Sequence, residues 1–380
     1  MLTIIEIVKR CFKLFLAMTL EFAFAVKHFR NRQPIHPNNV RSILVIYSCK
    51  LGDLIFCEPM FRLIRNNLPS VYITILIEKK YEDFAKMLLL PDKILTVDNH
   101  FVANVKKLRL EKFDLVIVPY YNLKHIFYSI FSRTKSYLGY FHEIGLGGRY
   151  HTANKLESFG LKVPVCFQLE KKNHVSKWPE AIIKSLFKEG HEYIPKIPNE
   201  RLESSVNINV KKLVEGMKER LIGIHIGSGW KYRRLPINKT IDFVNSYHSI
   251  NNICFVFLGD TQEKKEMSLI RPFLKGRFVD FVGDLCIIET CYIISKCDLF
   301  VGTDSGLIHC AAALEIPVVG LYGPNLPEIS GPLSNKSKVL FEKMSCCPCD
   351  QIVCELGAQS CMNKISVHDI QMSANQYIKE

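Results

Sequence analysis

Residues 297–327, CDLFVGTDSGLIHCAAALEIPVVGLYGPNLP, give the clearest indication of the fold class. It contains an apolar run at 297–302, a turn of small and polar residues at 303–306, an alanine-rich helical pattern, and a second apolar run at 317–323. Two short apolar runs joined by a helix indicate a βαβ unit, whose strands are parallel. This stretch therefore predicts an α/β protein with a parallel sheet.

The same alternation of β-rich runs and helical patterns occurs twice along the 380 residues, first over 42–119 and again over 220–323. Strands this apolar are typical of a parallel sheet covered on both faces. A chain of this length with 48% hydrophobic residues can form two cores. We predict an N-terminal Rossmann-like domain at 39–205 and a C-terminal one at 206–345, with their sheets facing across a ligand-binding cleft. An extension at 1–38 precedes them, and a cysteine-containing tail at 346–380 is expected to pack back towards the N-terminal domain.

Charge and cysteine usage limit the class of partner and the compartment. The 50 Lys and Arg residues exceed the 37 Asp and Glu residues, and the net charge of +13 favours anionic partners such as nucleotides, phosphorylated glycolipids or membrane surfaces. No basic repeat, aromatic RNA-binding signature or zinc-finger spacing occurs, so we do not expect a nucleic-acid partner. Most of the 14 cysteines are scattered through apolar stretches, which predicts buried thiols in the cytoplasm.

The N-terminal extension has an apolar segment at 14–26 that carries Glu21 and is flanked by basic residues on both sides. The segment is too short and too charged for a transmembrane span. Two interpretations remain: an amphipathic helix lying on an anionic membrane surface, and a helix packed on the first domain. The first would make the protein peripheral on the cytoplasmic face of the inner membrane.

The turn after the strand at 297–302 is the most specific candidate site. Ser305 and Gly306 open a helix, and backbone N–H groups at a helix N-terminus bind phosphate. Asp304 is expected to cap that helix or to bond a sugar hydroxyl. His309, in the first turn of the helix, is a candidate for a phosphate or sugar contact, with a structural histidine as the alternative.

A second candidate is GIHIGSGWKYRRLP, residues 223–236, where a strand runs into a loop of small and basic residues. Small residues let N–H groups approach phosphate oxygens, and cations neutralise a departing diphosphate. Ser228, Lys231 and Arg233 are therefore predicted to bind the diphosphate. The alternative is a solvated basic loop.

A third candidate is YSCKLGDLIFCEP, residues 47–59. Gly52 is expected to allow a tight turn. Lys50 precedes it in the same loop, which is expected to lie on the side where an acceptor hydroxyl binds. Asp53 is then either a helix N-cap or a general base at the end of a strand.

The late cysteines loosely follow the spacing of a metal-binding knuckle but lack two C-x-x-C pairs, so we expect packed thiols and no metal site. They are Cys346, Cys347, Cys349, Cys354 and Cys361.

Three motifs together resemble glycosyltransferase family 9, the bacterial ADP-heptose:lipopolysaccharide heptosyltransferases. They are LGD at 51–53, H-x-G-S at 225–228, and D-S-G-x-x-H-x-A-A-A-L at 304–314. The resemblance covers about residues 41–370 and includes the cysteine-containing tail. Two departures are Lys50, where a small hydroxyl residue is common, and Arg233, where many members carry lysine.

The resemblance implies a GT-B architecture and an inverting transfer of a sugar, heptose-like and carried by ADP, to a lipopolysaccharide-core or other glycan acceptor. It implies that Asp53 is the catalytic base, that Arg233 contacts the donor diphosphate, and that no metal or other cofactor is required. It also implies that the donor turn consists of Asp304, Ser305, Gly306, Leu307 and His309. Two alternatives stay open: a nucleotide-sugar epimerase or hydrolase of the same fold, and a non-catalytic nucleotide-sugar-binding protein at the membrane.

Overall fold

A computed structural model describes residues 36–47, 50–89, 91–98, 100–120, 123–139, 143–144, 150–151, 174–187, 194–349, 351, 353–354, 356–357 and 360–378. The amphipathic helix predicted within the first 33 residues lies outside the described residues. The described chain forms two units that divide between Tyr193 and Ile194. The short helix at 51–56 groups with the second unit, although it follows the first strand in sequence.

The strands, in chain order, are β1 Ser42–Ile46, β2 Tyr72–Glu78, β3 Lys93–Val97, β4 Lys112–Val118, β5 Arg133–Gly139, β6 Glu143–Ile144, β7 Tyr150–His151, β8 Arg220–His225, β9 Ile253–Phe257, β10 Phe278–Asp280, β11 Leu299–Thr303, β12 Val318–Tyr322 and β13 Ser337–Phe341. The α-helices are α1 Leu51–Phe56, α2 Glu58–Asn67, α3 Glu82–Leu89, α4 Phe101–Arg109, α5 Leu123–Phe131, α6 Lys177–Phe187, α7 Asn199–Ser205, α8 Ile208–Glu215, α9 Ile237–Asn245, α10 Lys264–Ile270, α11 Ile287–Ser295, α12 Gly306–Ala313, α13 Pro327–Ser330, α14 Ser360–Lys364 and α15 Val367–Ile378. Short 3-10 helices occur at Pro37–Asn39, Lys79–Tyr81, Lys231–Arg233, Thr261–Glu263 and Arg271–Phe273.

The first unit is built on a five-stranded parallel sheet in the order β3-β2-β1-β4-β5. Its central strands are buried along almost their whole length, as the apolar runs in the sequence predict. Side chains of β1 and β4 pack with those of α4 and α5 in one core, which includes Leu44, Val116, Leu108 and Tyr128. β6 and β7 form a separate antiparallel pair.

The second unit is built in the same way, on a six-stranded parallel sheet in the order β10-β9-β8-β11-β12-β13. The strand order reverses between β8 and β11, which are neighbours in the sheet but far apart in sequence. Ligands of open parallel sheets bind at such a switch point, beside the carboxyl ends of the strands. The predicted two α/β domains with parallel sheets are confirmed.

The last helix of the cysteine-containing tail, α15, packs on the second unit, and the expected approach of the tail to the first unit stays a prediction. Ile370 and Ala374 of α15 lie in the core of the second unit, and the Tyr247 hydroxyl bonds the Asn375 side chain at 2.8 Å. α15 has an apolar face that needs cover, and the face of the six-stranded sheet beside it supplies that cover. Residues from Ile194 onwards also belong to this unit, earlier than the predicted boundary after 205.

No helix of the described residues is long and apolar enough to cross a membrane.

A carboxylate fixes the start of the first central strand. Asp114 in β4 accepts hydrogen bonds through Oδ2 from the backbone N–H groups of Arg41 and Ser42, both at 3.0 Å, and from the Ser42 hydroxyl at 3.1 Å. Asp298, just before β11, bonds the backbone N–H of Leu221 in the same way at 2.8 Å. Each unit thus ties its two central strands together at the amino end, opposite the edge where ligands bind.

We expect Asp114→Ala to reduce the free energy of unfolding by about 1–3 kcal/mol, because the two N–H groups lose their acceptor. Urea unfolding of the full chain measures this loss. The control is Asp83→Ala, since the Asp83 side chain is 80% exposed and its removal should cost less than about 0.5 kcal/mol. Equal unfolding midpoints for the two variants would show that Asp114 does not hold β1.

Candidate functional site

The candidate site lies at the switch point of the second unit. β8 ends at His225 and β11 ends at Thr303, and these neighbouring strands deliver their following loops to the same edge of the sheet. The Thr303 hydroxyl donates a hydrogen bond at 2.5 Å to the carbonyl of Gly227, which joins the two loops. Both strands are covered on their two faces, so polar side chains of β8 and β11 gather at this edge.

A chain of three polar side chains runs through the site: Ser305, His225 and Glu263. The Ser305 Oγ lies 2.9 Å from Nδ1 of His225, and Nε2 of the same ring lies 3.3 Å from both carboxylate oxygens of Glu263. An ionised carboxylate can only accept, so the proton of this contact is on Nε2. His225 and Glu263 are buried, and Ser305 is partly exposed.

Two glycines leave the space that the Glu263 side chain occupies. A Cβ at either Gly227 or Gly259 would overlap the Glu263 carboxylate. The backbone N–H of Asp260 donates to Glu263 Oε2 at 3.0 Å. Burial by itself raises the pKa of Glu263, but the His225 and Asp260 hydrogen bonds outweigh it and hold that pKa below its usual value. Glu263 is therefore an anion at neutral pH.

A second network holds Arg233. Its Nη1 lies 3.0 Å from Oδ2 of Asp304, and its Nε donates to Gln351 Oε1 at 2.6 Å. The Gln351 amide donates to Asn325 at 2.9 Å, and the Asn325 amide donates to Asp304 at 2.6 Å, which closes a ring. A guanidinium has more N–H donors than these two bonds use. The network therefore orients Arg233 and leaves it able to bind an anion.

The rest of the basic loop is partly neutralised. Arg234 pairs with Glu266 and donates from Nε to the carbonyl of Ser228 at 3.0 Å. The buried Ser228 hydroxyl lies 3.4 Å from the carbonyl of Asp304. Lys231 is exposed. Arg233 and Arg234 thus both have carboxylate partners.

Helix α1 packs directly on the start of α12. A Cβ added at Gly306 would lie 2.8 Å from Leu51 Cβ, and one added at Gly52 would lie 2.7 Å from Cδ2 of His309. The His309 ring is buried and lies with its centroid 4.6 Å from that of Phe56. Gly52 is inside α1 and does not form the tight turn that we expected; its missing side chain permits the close approach of the two helices.

Asp53 follows Gly52 in α1. Asp53 is in the first turn of α1 and is partly exposed, whereas the other five residues of that helix are buried. Leu307, which follows the turn, is buried in α12. Lys50 belongs to the first unit and is exposed; its carbonyl accepts a hydrogen bond from Tyr47 at 3.0 Å.

Several of the late cysteines pack on the segment just before Asn325. The Cys347 thiol lies 3.5 Å from the carbonyl of Gly323, and a Cβ at Gly323 would lie 2.8 Å from Sγ of Cys361. Burial, and after it the neighbouring thiols, raises the pKa of Cys347 to about 11, so this thiol stays protonated at neutral pH. No cluster of His, Cys, Asp or Glu that could hold a metal is present in the part of the chain that the structure describes.

Sequence reasoning missed four members of the site. His225 lies in the motif at 223–236, but we assigned it no function from the sequence, because a histidine that ends a strand is most often structural. Glu263, Asn325 and Gln351 come from distant loops and carried no local signal. A search for polar residues at the carboxyl end of each predicted strand would have found His225.

The sequence model of glycosyltransferase family 9 (heptosyltransferase) matches residues 102–359. The chain is 41% identical over 61 residues to lipopolysaccharide heptosyltransferase 2 of Salmonella typhimurium, which is 16% of this chain and 18% of that protein. The structure is similar to that of Escherichia coli ADP-heptose lps heptosyltransferase II, with 17% identity and a TM-score of 0.69 over 88% of this chain and 98% of the other. It is also similar to a glycosyl transferase family 9 structure from Veillonella parvula, with 17% identity and a TM-score of 0.71 over 91% and 99%. These structural likenesses show the fold, and the expected GT-B class is confirmed.

We expect Gly227→Ala to destabilise the second unit by about 1–3 kcal/mol, because the new methyl group displaces the buried Glu263 carboxylate. Thermal unfolding followed by circular dichroism measures the loss. Gly229→Ala is a matched control in the same loop, since a Cβ at Gly229 meets no atom within 4 Å. Equal melting temperatures for the two variants would contradict the close packing of Glu263 on Gly227.

Proposed function

Because the chain belongs to glycosyltransferase family 9, we propose that it transfers a sugar from a nucleoside diphosphate sugar to a glycan acceptor, with the donor diphosphate bound at Ser305 and Gly306. The observation that carries this proposal is the packing of α1, which bears Asp53, on the first turn of α12. Asp53 follows Gly52 in α1 and is partly exposed, and α12 begins at Gly306, against Leu51. A base and an anion site side by side are what a displacement at a sugar diphosphate requires.

The donor diphosphate would occupy the N-terminus of α12. The backbone N–H groups in the first turn of a helix have no intrahelical partner, and the helix dipole adds positive potential there. The partly exposed Ser305 hydroxyl stands at this end of the helix. Arg233, oriented by Asp304 and Gln351, supplies a fixed cation, and Lys231 supplies a second from the same loop. These groups stabilise the negative charge that develops on the leaving diphosphate, and the proposed reaction assigns no step to a metal.

Asp53 would act as the general base. It takes the proton from the acceptor hydroxyl while that oxygen attacks the anomeric carbon of the donor sugar. The bond from the anomeric carbon to the diphosphate oxygen breaks, and the nucleoside diphosphate leaves with the bonding electron pair. A single displacement of this kind inverts the configuration of the anomeric carbon. It leaves no covalent bond between sugar and protein.

The family and the similar proteins support a heptose donor carried by ADP and an acceptor from the lipopolysaccharide core. The net charge of +13 suits a phosphorylated, lipid-linked acceptor at an anionic membrane surface. Residues 1–33, which combine an apolar segment with flanking basic residues, are the proposed contact with the cytoplasmic face of the inner membrane.

We expect Asp53→Asn to lower kcat/KM for sugar transfer by about 10²–10⁴-fold, because the amide cannot accept the proton of the acceptor. ADP affinity, measured by calorimetry, should stay within a factor of about three of the wild type. The matched control is Glu58→Gln in the following helix, where the carboxylate pairs with Arg62 at 2.6 Å. Full turnover by Asp53→Asn would remove Asp53 from the role of base.

Calorimetry with ADP, UDP, GDP and CMP should show a preference for ADP, and Ser305→Trp should abolish it by filling the phosphate turn. Ser268→Trp, on an exposed helix of the same unit, should bind like the wild type. A preference for another nucleotide would change the proposed donor. Undiminished binding by Ser305→Trp would place the nucleotide elsewhere.

A further inference from the structure

The three hydrogen-bonded side chains Ser305, His225 and Glu263 are arranged unfavourably for an anion that binds at Ser305 and Gly306. Both carboxylate oxygens of Glu263 face Nε2 of His225, so that nitrogen must carry a proton. In the neutral ring Nδ1 then has none and accepts the hydroxyl proton of Ser305 at 2.9 Å. In this state the Ser305 hydroxyl presents lone pairs to its exposed side, and lone pairs repel phosphate oxygens.

When the hydroxyl turns its proton towards a phosphate, Nδ1 keeps a hydrogen bond to Oγ only if it carries a proton and donates. The neutral tautomer with the proton on Nδ1 would leave a lone pair on Nε2 facing an ionised carboxylate, which is unfavourable. The imidazolium, with protons on both nitrogens, satisfies Glu263 and Ser305 together. We propose that His225 is a positioning residue that takes up a proton when the donor diphosphate binds, and so turns the Ser305 hydroxyl towards the phosphate. This inference rests on the proposed donor site.

The charges around the site favour this proton uptake. Arg233 and Arg234 are already paired with Asp304 and Glu266, so the loop has less free positive charge to offer than its composition suggests. The groups that face His225 are Glu263 and the Ser305 hydroxyl, and the Asp304 carboxylate bonds Arg233 and Asn325. A diphosphate adds negative charge a short distance from a ring that already lies against a carboxylate. A proton on that ring is the compensating charge the site can gain.

The sign of the pH dependence follows from linkage. If the complex holds one more proton than the free protein and free ADP together, affinity increases as pH falls. Above pH 7.5 an ordinary imidazole is neutral. In that range ADP should bind more weakly by up to roughly tenfold per pH unit, the limit for one linked proton. A histidine with a merely structural role would give no such slope.

The test is calorimetry of ADP binding at pH 8 in HEPES and in Tris, whose ionisation enthalpies differ, so that the heat reports the number of protons taken up. Wild type should take up close to one proton per ADP. His225→Asn keeps an amide N–H near the position of Nδ1 but does not titrate, and its uptake should fall to near zero. Glu263→Gln is the sharper variant: its amide can donate to Nε2, so the neutral ring can carry its proton on Nδ1, and ADP should bind without proton uptake.

Uptake by the wild type no greater than that by His225→Asn would overturn the inference and leave the donor site intact. Uptake by Glu263→Gln equal to that of the wild type would also overturn it. If the folded wild-type protein bound no ADP at millimolar concentration, the proposed ADP site would fail along with the inference. Circular dichroism of each variant establishes that the chain is folded before these comparisons are made.

Discussion

The candidate site depends on the parallel pairing of β8 with β11. Gly302 lies opposite His225 in this pairing, so the loops at 226–236 and 304–306 leave the sheet side by side. The strands are buried on both faces by helices, and a polar side chain within them would lose its hydrogen bonds to water. Polar chemistry is therefore confined to the strand ends, and the reversal of strand order decides which two ends meet.

Sequence reasoning recovered the features that depend on local pattern. The apolar runs predicted two parallel α/β units, and the turn at 304–306 was identified because a strand, small polar residues and a helix follow one another within ten residues. It did not recover features that depend on where distant loops meet. Arg233 was singled out as a diphosphate ligand, but its partners Asp304 and Gln351 are 71 and 118 residues away in the chain. The place of α15 in the core of the second unit was not recovered either, since an apolar helical face predicts burial but does not say against which core.

Two glycines give a further example of a feature that the sequence alone does not explain. Gly52 and Gly227 are conspicuous in the sequence, and the ordinary interpretation of such residues is a turn. In the structure, Gly52 is inside a helix and packs against His309, and Gly227 makes room for the Glu263 side chain. What these residues provide is space for a side chain from another segment, and only the folded structure shows which segment that is.

The two networks at the site have different physical consequences for an anion. Asp304 neutralises Arg233 but fixes its direction, so the cation is ready to bind a phosphate without first losing side-chain freedom. The Glu263 carboxylate instead lies against the His225 ring, whose Nε2 is 3.3 Å from both of its oxygens. A site built from one fixed charge and one titratable charge can admit a dianionic ligand while remaining nearly neutral when empty. That balance avoids the desolvation cost of an uncompensated cation in the empty protein, because the charge needed for binding is acquired only with the ligand.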